Sequence, residues 1–491
     1  MGFAAFAAVA ALLAPGLAEA KWLKAESPRF IVYSDGDERT LREYAVRLED
    51  FDTLLRAFFS LDPNGVPGRK LEIYLVRSTI ELRRVSPGAS ESLQGFYAAA
   101  PSNIFAIAIR ERGDRDADDT ILHEYAHHFM MQNLVGAFPG WLIEGFAEYY
   151  ATAHLTPTSF EIGNLNQGRA YTLMNGGWTP TDVVLTKRTG ELKRDQVFGY
   201  YAQSWIMTHY MLSDPARRKQ LFAYVRMLGE GKPSVEAWTA ATGETLEAFD
   251  AKLKKYMRTG IPSTRFKRAA YNPAQITVAA LPASADDLLL ESLRVNAGAL
   301  PSEDKDFLER VKSRAAKYGD DRFARLTLAQ TELAIGDKAA GMALLDALIA
   351  SDAADAAALR TKAVALIEEG DEADDAGRRK LYTDAARLLL RANKAQPDEY
   401  RTLYNYARTR RIERDYPSDN ALEVLMTATV LAPQVDQIRV ETARALILRK
   451  QFDDAIPLLT PVANDPHGGG ASDVARTLLK QIASVRSATS Q

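Results

Sequence analysis

The part of the chain that follows about Ala285 repeats one local pattern, and this pattern constrains the fold more than any other feature. Residues 336–345 and 450–459 each join a polar turn to an amphipathic helix. Such helices run into breaks that contain Asp or Pro and lie about 33 to 45 residues apart, so paired helices are predicted to follow one another here. The breaks are Ser351-Asp352, Gln396-Pro397, Ala432-Pro433 and Asp465-Pro466.

A period near ~34 residues with paired helices resembles that of tetratricopeptide repeats. The resemblance implies an all-α, tetratricopeptide-like helical repeat domain over residues 285–491, with a possible protein partner bound along the repeats. Most of the aromatic and Gly-Tyr signposts of that family are missing, and the longest interval holds an additional polar stretch, Gly370–Arg379. A helical domain without repeats is the alternative.

Length and composition limit the remaining possibilities. A chain of 491 residues is too long for one compact core, which favours two or three domains. The net charge of -3 provides no basic surface for nucleic acid. The absence of cysteine excludes disulfides, thiolate zinc sites and a cysteine nucleophile.

The first twenty residues have the pattern of a signal peptide. An apolar run, Phe3–Ala14, is followed by the breakers Pro15 and Gly16 and by the small-x-small sequence Ala18–Ala20 before Lys21. No Lys or Arg precedes the run, so a misassigned start or an N-terminal anchor is the alternative. We expect an exported protein, periplasmic or secreted, with no transmembrane span in the mature chain.

Strand patterns precede helix patterns in the part of the chain before residue 260. Alternating or β-branched runs predict strands at 28–35, 70–76 and 104–109, and a loop rich in Gly, Ser and Pro is predicted at 87–102. Apolar residues at helical spacing predict a first long helix at 39–61. Further helices are predicted from Asp118, from Trp141, and at 197–212, 215–228 and 246–257. This order predicts an α+β domain at 21–260, joined by a connector at 261–284 to the helical region.

Three of the six histidines lie within one predicted helix, in the sequence Leu122-His-Glu-Tyr-Ala-His-His-Phe129. His123 and His127 are four residues apart and project from one helix face, so two imidazoles can share a zinc ion. Glu124 is close enough to act on a water at that metal without binding the metal itself. From a second predicted helix, Glu144 can supply a third ligand and leave a fourth position open, as in catalytic zinc sites.

The motif His123–His127, followed by Trp-Leu-Ile-Glu-Gly-Phe-Ala-Glu-Tyr at 141–149, resembles the gluzincins. The likeness is to their peptidase-MA-like group and the related aminopeptidase-N type family. It implies a zincin-like catalytic domain, with the Glu before Gly-Phe-Ala, here Glu144, as third ligand. The spacing between the second His and this Glu is slightly shorter than is usual in that family, which predicts a shorter connecting loop.

Other site residues follow less directly. The family has a tyrosine at the start of a later helix whose hydroxyl stabilises the tetrahedral intermediate; Tyr201 matches that position best, and Tyr200 is the alternative. Both could instead be core residues. Glu148 is predicted to accept a hydrogen bond from a ligand imidazole, that of His123, unless it is an ordinary surface acid. His128 points away from His127 and is predicted to be either a residue that supports a metal ligand or a packing residue, and not a ligand itself.

In zinc peptidases the strand just before the motif helix is a sheet edge, so the resemblance implies that extended substrate backbone binds here, at Ile104, Ala106 and Ile107. The alternative is a buried central strand, which the apolar run Ile-Phe-Ala-Ile-Ala-Ile also fits.

The sequence therefore predicts a metallopeptidase with one Zn²⁺, a polypeptide substrate and Glu124 as general base toward a water that the metal activates. One alternative is a catalytically silent scaffold whose repeats bind protein partners; another is a zinc hydrolase with a different substrate class.

The Gly-x-Met-Glu-Asn signature of aminopeptidases is absent, since the segment before the motif is Gly95–Ala100 with the sequence Gly-Phe-Tyr-Ala-Ala-Ala. A protein cut near Ala285 is expected to retain cleavage of small peptides.

Overall fold

The computed structural model describes residues 21–65, 69–91, 93–110, 116–134, 136–268, 271–298, 300, 304–465 and 469–489. The predicted signal peptide, residues 1–20, lies outside the described residues. Among the helices that are described, none combines the length and the apolar character that a membrane crossing requires.

Short strands form two sheets in the first part of the molecule. The strands are β1 (Leu23–Glu26), β2 (Phe30–Ser34), β3 (Leu71–Val76), β4 (Gly95–Ala99), β5 (Ile104–Ile109), β6 (His154–Leu155), β7 (Ser159–Ile162), β8 (Thr264–Lys267) and β9 (Thr277–Ala280). The larger sheet has the order β4-β5-β3-β2-β1-β9, and the smaller has the order β6-β7-β8. Strands β2, β3 and β5 are parallel, whereas β4, β1 and β9 pair antiparallel with their neighbours.

Strand β5 is an inner strand of the larger sheet, so the prediction that Ile104, Ala106 and Ile107 form a substrate-binding edge is wrong. It lies between β4 and β3, and all six of its residues are buried. Alternate side chains enter two separate apolar clusters: Ile104 and Ala106 face one, and Phe105 and Ile107 face the other. The continuous apolar run therefore reflects burial on both faces.

Two segments that were predicted to be irregular contribute strands. The edge strand β4 lies within the predicted loop 87–102. The predicted connector 261–284 contains β8, which pairs with β7, and β9, which pairs with β1. This segment is therefore built into both sheets, because its short alternating runs supply the backbone partners that the two edge strands need.

Ten helices described in the first part follow or interrupt these strands. They are α1 (Glu38–Phe58), α2 (Thr79–Val85), α3 (Asp116–Asn133), α4 (Gly140–Ala151), α5 (Gln167–Met174), α6 (Thr181–Thr186), α7 (Arg194–Leu212), α8 (Pro215–Gly229), α9 (Ser234–Thr242) and α10 (Leu246–Thr259). Asp37 caps α1, whose residues Leu41, Leu48 and Phe51 are buried against the sheet. The α+β prediction, with a small sheet followed mainly by helices, is confirmed.

The remainder of the chain is helical. Its helices are α11 (Ser284–Asn296), α12 (Lys305–Ala315), α13 (Arg322–Ile335), α14 (Lys338–Ser351), α15 (Ala356–Glu372), α16 (Asp375–Ala395), α17 (Tyr400–Thr409), α18 (Asp419–Leu431), α19 (Asp436–Leu448), α20 (Phe452–Ala463) and α21 (Gly470–Thr489). Consecutive helices pack as pairs: α13 with α14, α15 with α16, α17 with α18, and α19 with α20. The pair with the longest interval has the long helices α15 and α16, of 17 and 21 residues. The predicted helical repeats are confirmed.

The repeats and the α+β part share a hydrophobic core. Tyr400, Val435 and Ile438 are buried in the same cluster as the sheet and α3. At the other end of the repeats, α11 buries Leu289 and Leu293 against the opposite face of the sheet. The two parts are therefore packed together at α11 and again at α17–α19. This shared packing removes the physical basis for expecting a cut near Ala285 to be tolerated.

Candidate metal centre

Helix α3 brings two imidazoles together. His123 and His127 lie one turn apart, with ring centroids 4.7 Å apart and their Nε2 atoms 3.1 Å apart. Both side chains are mostly buried but retain some exposure, 17% for His123 and 13% for His127. The spacing of four residues thus places both imidazoles on one face of the helix, as the sequence predicted.

Helix α4 supplies the third donor. Its start is anchored by the fully buried Trp141, whose indole packs against Tyr224 and Trp238. Glu144, one turn later, is completely buried, and its Oε2 lies 3.6 Å from Nε2 of His123 and 3.5 Å from Nε2 of His127.

Gly145 explains how α4 reaches this position. A Cβ atom at residue 145 would lie 2.3 Å from the backbone oxygen of Ser204 and would also overlap Thr208, both on α7. Only glycine allows the two helices to approach so closely. The Gly that follows Glu144 therefore packs the ligand-bearing helix directly against α7, which carries Tyr201.

The donor set fits a zinc ion. One ligand atom each from His123, His127 and Glu144 lies within 4.8 Å of the other two. Zinc ligands at about 2.0–2.1 Å in a tetrahedral arrangement are separated from one another by about 3.3 Å. The observed separations of 3.1, 3.5 and 3.6 Å bracket that value. Two imidazoles and one carboxylate leave a fourth position, which is typical of a catalytic zinc site.

The far side of His123 faces a second carboxylate. Nδ1 of His123 is 3.5 Å from Oε1 of Glu148, which is buried one turn after Glu144 on α4. Glu148 in turn accepts hydrogen bonds from Arg169 and Asn166 at the start of α5. The structure thus places Glu148 where the sequence predicted it, next to His123.

These acids determine the charge of His123 in the absence of metal. Burial lowers the pKa of His123, but the contact with Glu144 and the charges of Glu148 and Glu124 outweigh it and raise the pKa to about 9. A divalent cation that bound here would therefore have to displace a proton from this imidazole.

Glu124 follows His123 on α3 and remains partly exposed. Besides burial, which is the largest cause, its negative charge helps to raise the pKa of Tyr97 and of Tyr201. The carboxylate therefore lies within electrostatic range of both the edge strand β4 and helix α7, on the same side of the molecule as the metal ligands.

Tyr200 and Tyr201 have different surroundings. Tyr200 is completely buried, and its hydroxyl donates to the carbonyl of Lys187. Tyr201 is partly exposed and its ring lies under the guanidinium of Arg169, 5.1 Å from ring centroid to Cζ. Burial and the charges of Glu144 and Glu148 hold the pKa of Tyr201 well above its ordinary value, so the hydroxyl keeps its proton at neutral pH. Besides burial, the charge of Glu144 raises the pKa of both tyrosines. Glu148 and Glu124 act on Tyr201 as well, and its side chain is partly exposed, so Tyr201 is the better candidate.

His128 does not take part in the ligand set. It is buried, with Nδ1 3.0 Å from the hydroxyl of Tyr97 on β4 and Nε2 3.4 Å from Nε2 of Gln434 in the repeats. Burial lowers its pKa to about 4, so the ring is neutral. His128 thus connects the metal helix to the edge strand and to the repeat region, as a packing residue.

Sequence reasoning did not identify Arg169, Asn166 or Gln434 as residues near the site. The only local signal was that Asn166 is a good helix N-cap, and its side chain does accept from the backbone N–H of Arg169. Nothing in the spacing indicated that this cap would lie against Glu148, or that a loop of the repeats would reach α3.

A family model described as "Protein of unknown function (DUF1570)" matches residues 118–235, which include the three candidate ligands and Tyr201. No curated protein matches the chain. Among solved structures, a thermophilic TPR protein from Thermus thermophilus is similar, with 16% identity, a TM-score of 0.32 and coverage of 40% of this chain and 98% of that chain. MamA (41-end) from Desulfovibrio magneticus RS-1 is similar with 15% identity, a TM-score of 0.28 and coverage of 40% and 96%. None of these descriptions names an activity.

Proposed function

We propose that this chain is an exported zinc-dependent peptidase of gluzincin type, which hydrolyses peptide bonds in polypeptides. One observation carries the proposal: His123, His127 and Glu144, from two packed helices, present three donor atoms at zinc-ligand spacing. A zinc ion bound there would acidify a water molecule and polarise the scissile carbonyl.

Glu124 is the candidate general base. Its position next to His123 and its partial exposure let it meet a water that enters the site from solvent. The carboxylate accepts a proton as the water oxygen attacks the carbonyl carbon, and later donates that proton to the nitrogen of the leaving amine as the peptide bond breaks. The proton is thus returned within one reaction, and the base is regenerated.

Tyr201 is the candidate for stabilising the oxyanion. A tyrosine hydroxyl is protonated at neutral pH, and burial raises the pKa of Tyr201 further, so this hydroxyl can donate a hydrogen bond to the developing charge. In the described part of the chain, no strand pairs with the outer side of β4, and this edge is the place where extended substrate backbone could pair. The proposed backbone-binding strand is therefore β4, which carries Tyr97 and packs against α3.

Metal analysis and a cleavage assay test the proposal together. The purified protein should contain one equivalent of zinc and should cleave members of a peptide library, and a chelator should abolish cleavage. Glu124→Gln should keep the zinc and lose turnover by at least about 100-fold. The exposed Glu236, on α9, provides a matched control: Glu236→Gln should cleave like the wild type. Normal cleavage by Glu124→Gln would show that the mechanism is wrong.

A catalytically silent scaffold is the second candidate, because the helix pairs of α13–α20 form the kind of stacked array that binds extended partners. The same experiment separates the two functions. A protein that holds zinc but leaves every library peptide intact, in the presence of excess metal, favours the scaffold. Zinc-dependent hydrolysis of an ester or amide outside peptides would instead indicate a different substrate class.

A further inference from the structure

We propose that Arg169 is a positioning residue that couples the orientation of His123 to the placement of Tyr201. The inference rests on the proposed function, since it concerns how the same site is held together. Arg169 bonds Glu148 on one side and lies against the Tyr201 ring on the other, and it acts on the site through these two contacts.

The first contact locks a carboxylate. Nε of Arg169 donates to Oε2 of Glu148 at 2.9 Å and Nη2 donates to Oε1 at 2.5 Å, a two-bond arrangement that prevents rotation of the acid. Asn166 adds a third bond to Oε2 at 3.0 Å. Oε1 of Glu148, which accepts from Arg169, also lies 3.5 Å from Nδ1 of His123. With its other lone pairs occupied, Glu148 can offer that oxygen to His123 in only one orientation, which favours a proton on Nδ1 and leaves Nε2 for the metal.

The second contact holds the tyrosine. The guanidinium carbon of Arg169 lies 5.1 Å from the centre of the Tyr201 ring, within the range of a cation–π contact. A planar guanidinium can bond Glu148 along one edge while its face lies on the ring, which the ammonium group of a lysine cannot do. One side chain therefore sets the distance between the His123 support and the Tyr201 hydroxyl.

The start of α5 is built to present this side chain. Asn166 caps the helix through Oδ1, which accepts from the backbone N–H of Arg169 at 3.1 Å, while its Nδ2 donates to Glu148. Ala170 and Leu173 are buried against α7. Arg169 thus projects from a helix that is tied to α4 by its cap and to α7 by its apolar face, so its position is determined by packed elements and not by a loose loop.

Zinc affinity tests the coupling without reference to any substrate. Affinity is measured by competition with a chromophoric chelator, on the full chain, for the wild type, Arg169→Met and Arg169→Lys. Loss of an outer partner of a metal-bound histidine typically weakens zinc binding 10- to 100-fold, so Arg169→Met is expected to weaken it about tenfold and Arg169→Lys less. The visible spectrum of the Co²⁺ form should change in Arg169→Met, because it reports the ligand geometry.

Arg217→Met is the matched control. Arg217 also stacks on a tyrosine, 3.8 Å from the ring centre of Tyr210, but its contacts lie outside the ligand cluster. This variant should bind zinc and Co²⁺ like the wild type. If Arg217→Met weakens zinc binding as much as Arg169→Met does, the effect is a general loss of packing and the proposal is overturned.

A double-mutant cycle with Glu148 decides whether Arg169 acts through that acid. In a Glu148→Gln background, Arg169→Met is expected to cause no further loss of zinc affinity; a second full tenfold loss would overturn the coupling. If Arg169→Met does not fold, Arg169→Lys in both backgrounds gives the same decision. A wild-type protein that binds no zinc would overturn the proposed function itself, whereas a zinc-binding wild type with an unaffected Arg169→Met would overturn only the role of Arg169.

Discussion

Oε1 of Glu148 lies 3.5 Å from Nδ1 of His123, on the side of the imidazole opposite the nitrogen that faces Glu144. The same oxygen accepts from Arg169, so a buried acid connects a candidate metal ligand to a cation at the start of α5. Metal binding is therefore expected to depend on this support, because the orientation of the imidazole determines whether Nε2 points at the metal.

Replacing this acid should weaken the metal site without unfolding the protein. Glu148→Gln keeps the shape but removes the charge that holds the proton on Nδ1, so zinc affinity is expected to fall by roughly 10- to 100-fold. Competition with a chromophoric chelator measures the change. The control is Glu144→Gln, which alters a ligand and should reduce affinity by more than Glu148→Gln. Equal or larger loss in Glu148→Gln would show that the two acids have been assigned to the wrong roles.

The two adjacent tyrosines should respond differently to loss of the hydroxyl. Tyr201→Phe is expected to lower kcat by about 100- to 1000-fold with little change in KM, as for loss of an oxyanion donor. Tyr200→Phe removes only the buried hydrogen bond to the carbonyl of Lys187, so it should lower the free energy of unfolding by about 1 kcal/mol and leave kcat unchanged. Steady-state kinetics and denaturant unfolding on both variants provide the comparison. The reverse pattern would assign the oxyanion role to Tyr200.

The sequence was sufficient to predict that His123, His127 and Glu144 lie close together, because the decisive relationships are local. A spacing of four residues in one helix places His123 and His127 together, and Glu144 follows after a short loop with Gly145 to allow close packing. The helices at 194–212, 215–229 and 246–259 were predicted to within a few residues for the same reason: their apolar periodicity is continuous.

The sheet order could not be obtained in this way, because strand neighbours are chosen by non-local pairing. The apolar sequence of β5 fits an inner strand and an edge strand equally well, and β4 was hidden in a segment whose Gly, Ser and Pro content is typical of a loop. Arg169 lies 21 residues from Glu148, on a different helix, and Gln434 lies 306 residues from His128. Their contacts depend on which helices and loops pack together, and the spacing of residues within one segment does not predict this.

The shared core predicts that the α+β part is unstable by itself. A chain of residues 21–284 lacks Tyr400, Val435 and Ile438, and a buried apolar side chain of this kind contributes about 1.5–3 kcal/mol. Losing three of them is comparable with the total stability of a typical domain, about 5–15 kcal/mol. Thermal unfolding of this fragment should therefore occur at a much lower temperature than that of the full chain, with exposed apolar surface that binds a hydrophobic dye.

A shorter deletion provides the control for that comparison. A chain that ends at residue 465 loses α21 but keeps α17–α19 and the apolar contacts that they make with the sheet and α3. Its Tm should fall by less than that of the 21–284 fragment. A fragment that unfolds at the same temperature as the full chain would show that the contacts between the two parts contribute nothing to stability.

The last prediction concerns the pH dependence of stability at the junction between the repeats and β4. Asp436, in the first turn of α19, is surrounded by Asp465, Arg439 and Tyr97. Burial, followed by the charge of Asp465 and a hydrogen bond with it, raises the pKa of Asp436 to about 7, and Arg439 offsets only part of this. The folded protein therefore binds a proton here more tightly than the unfolded chain, whose Asp has a pKa near ~3.9.

The sign of the effect follows from that difference. The stabilisation from protonated Asp436 is complete below about pH 4 and is lost as the pH rises through about 7, so the charged acid opposes folding at pH 8. Asp436→Asn should raise Tm at pH 8 by roughly 2–4 °C, the shift that about 1 kcal/mol produces in a domain of this size, and should have little effect at pH 5. Asp454→Asn, which changes an exposed acid in the first turn of α20, should show no such pH-dependent gain. If the Tm of Asp436→Asn at pH 8 is unchanged or lowered, Arg439 stabilises Asp436 as a carboxylate. Burial and repulsion from Asp465 would then not oppose folding at that pH.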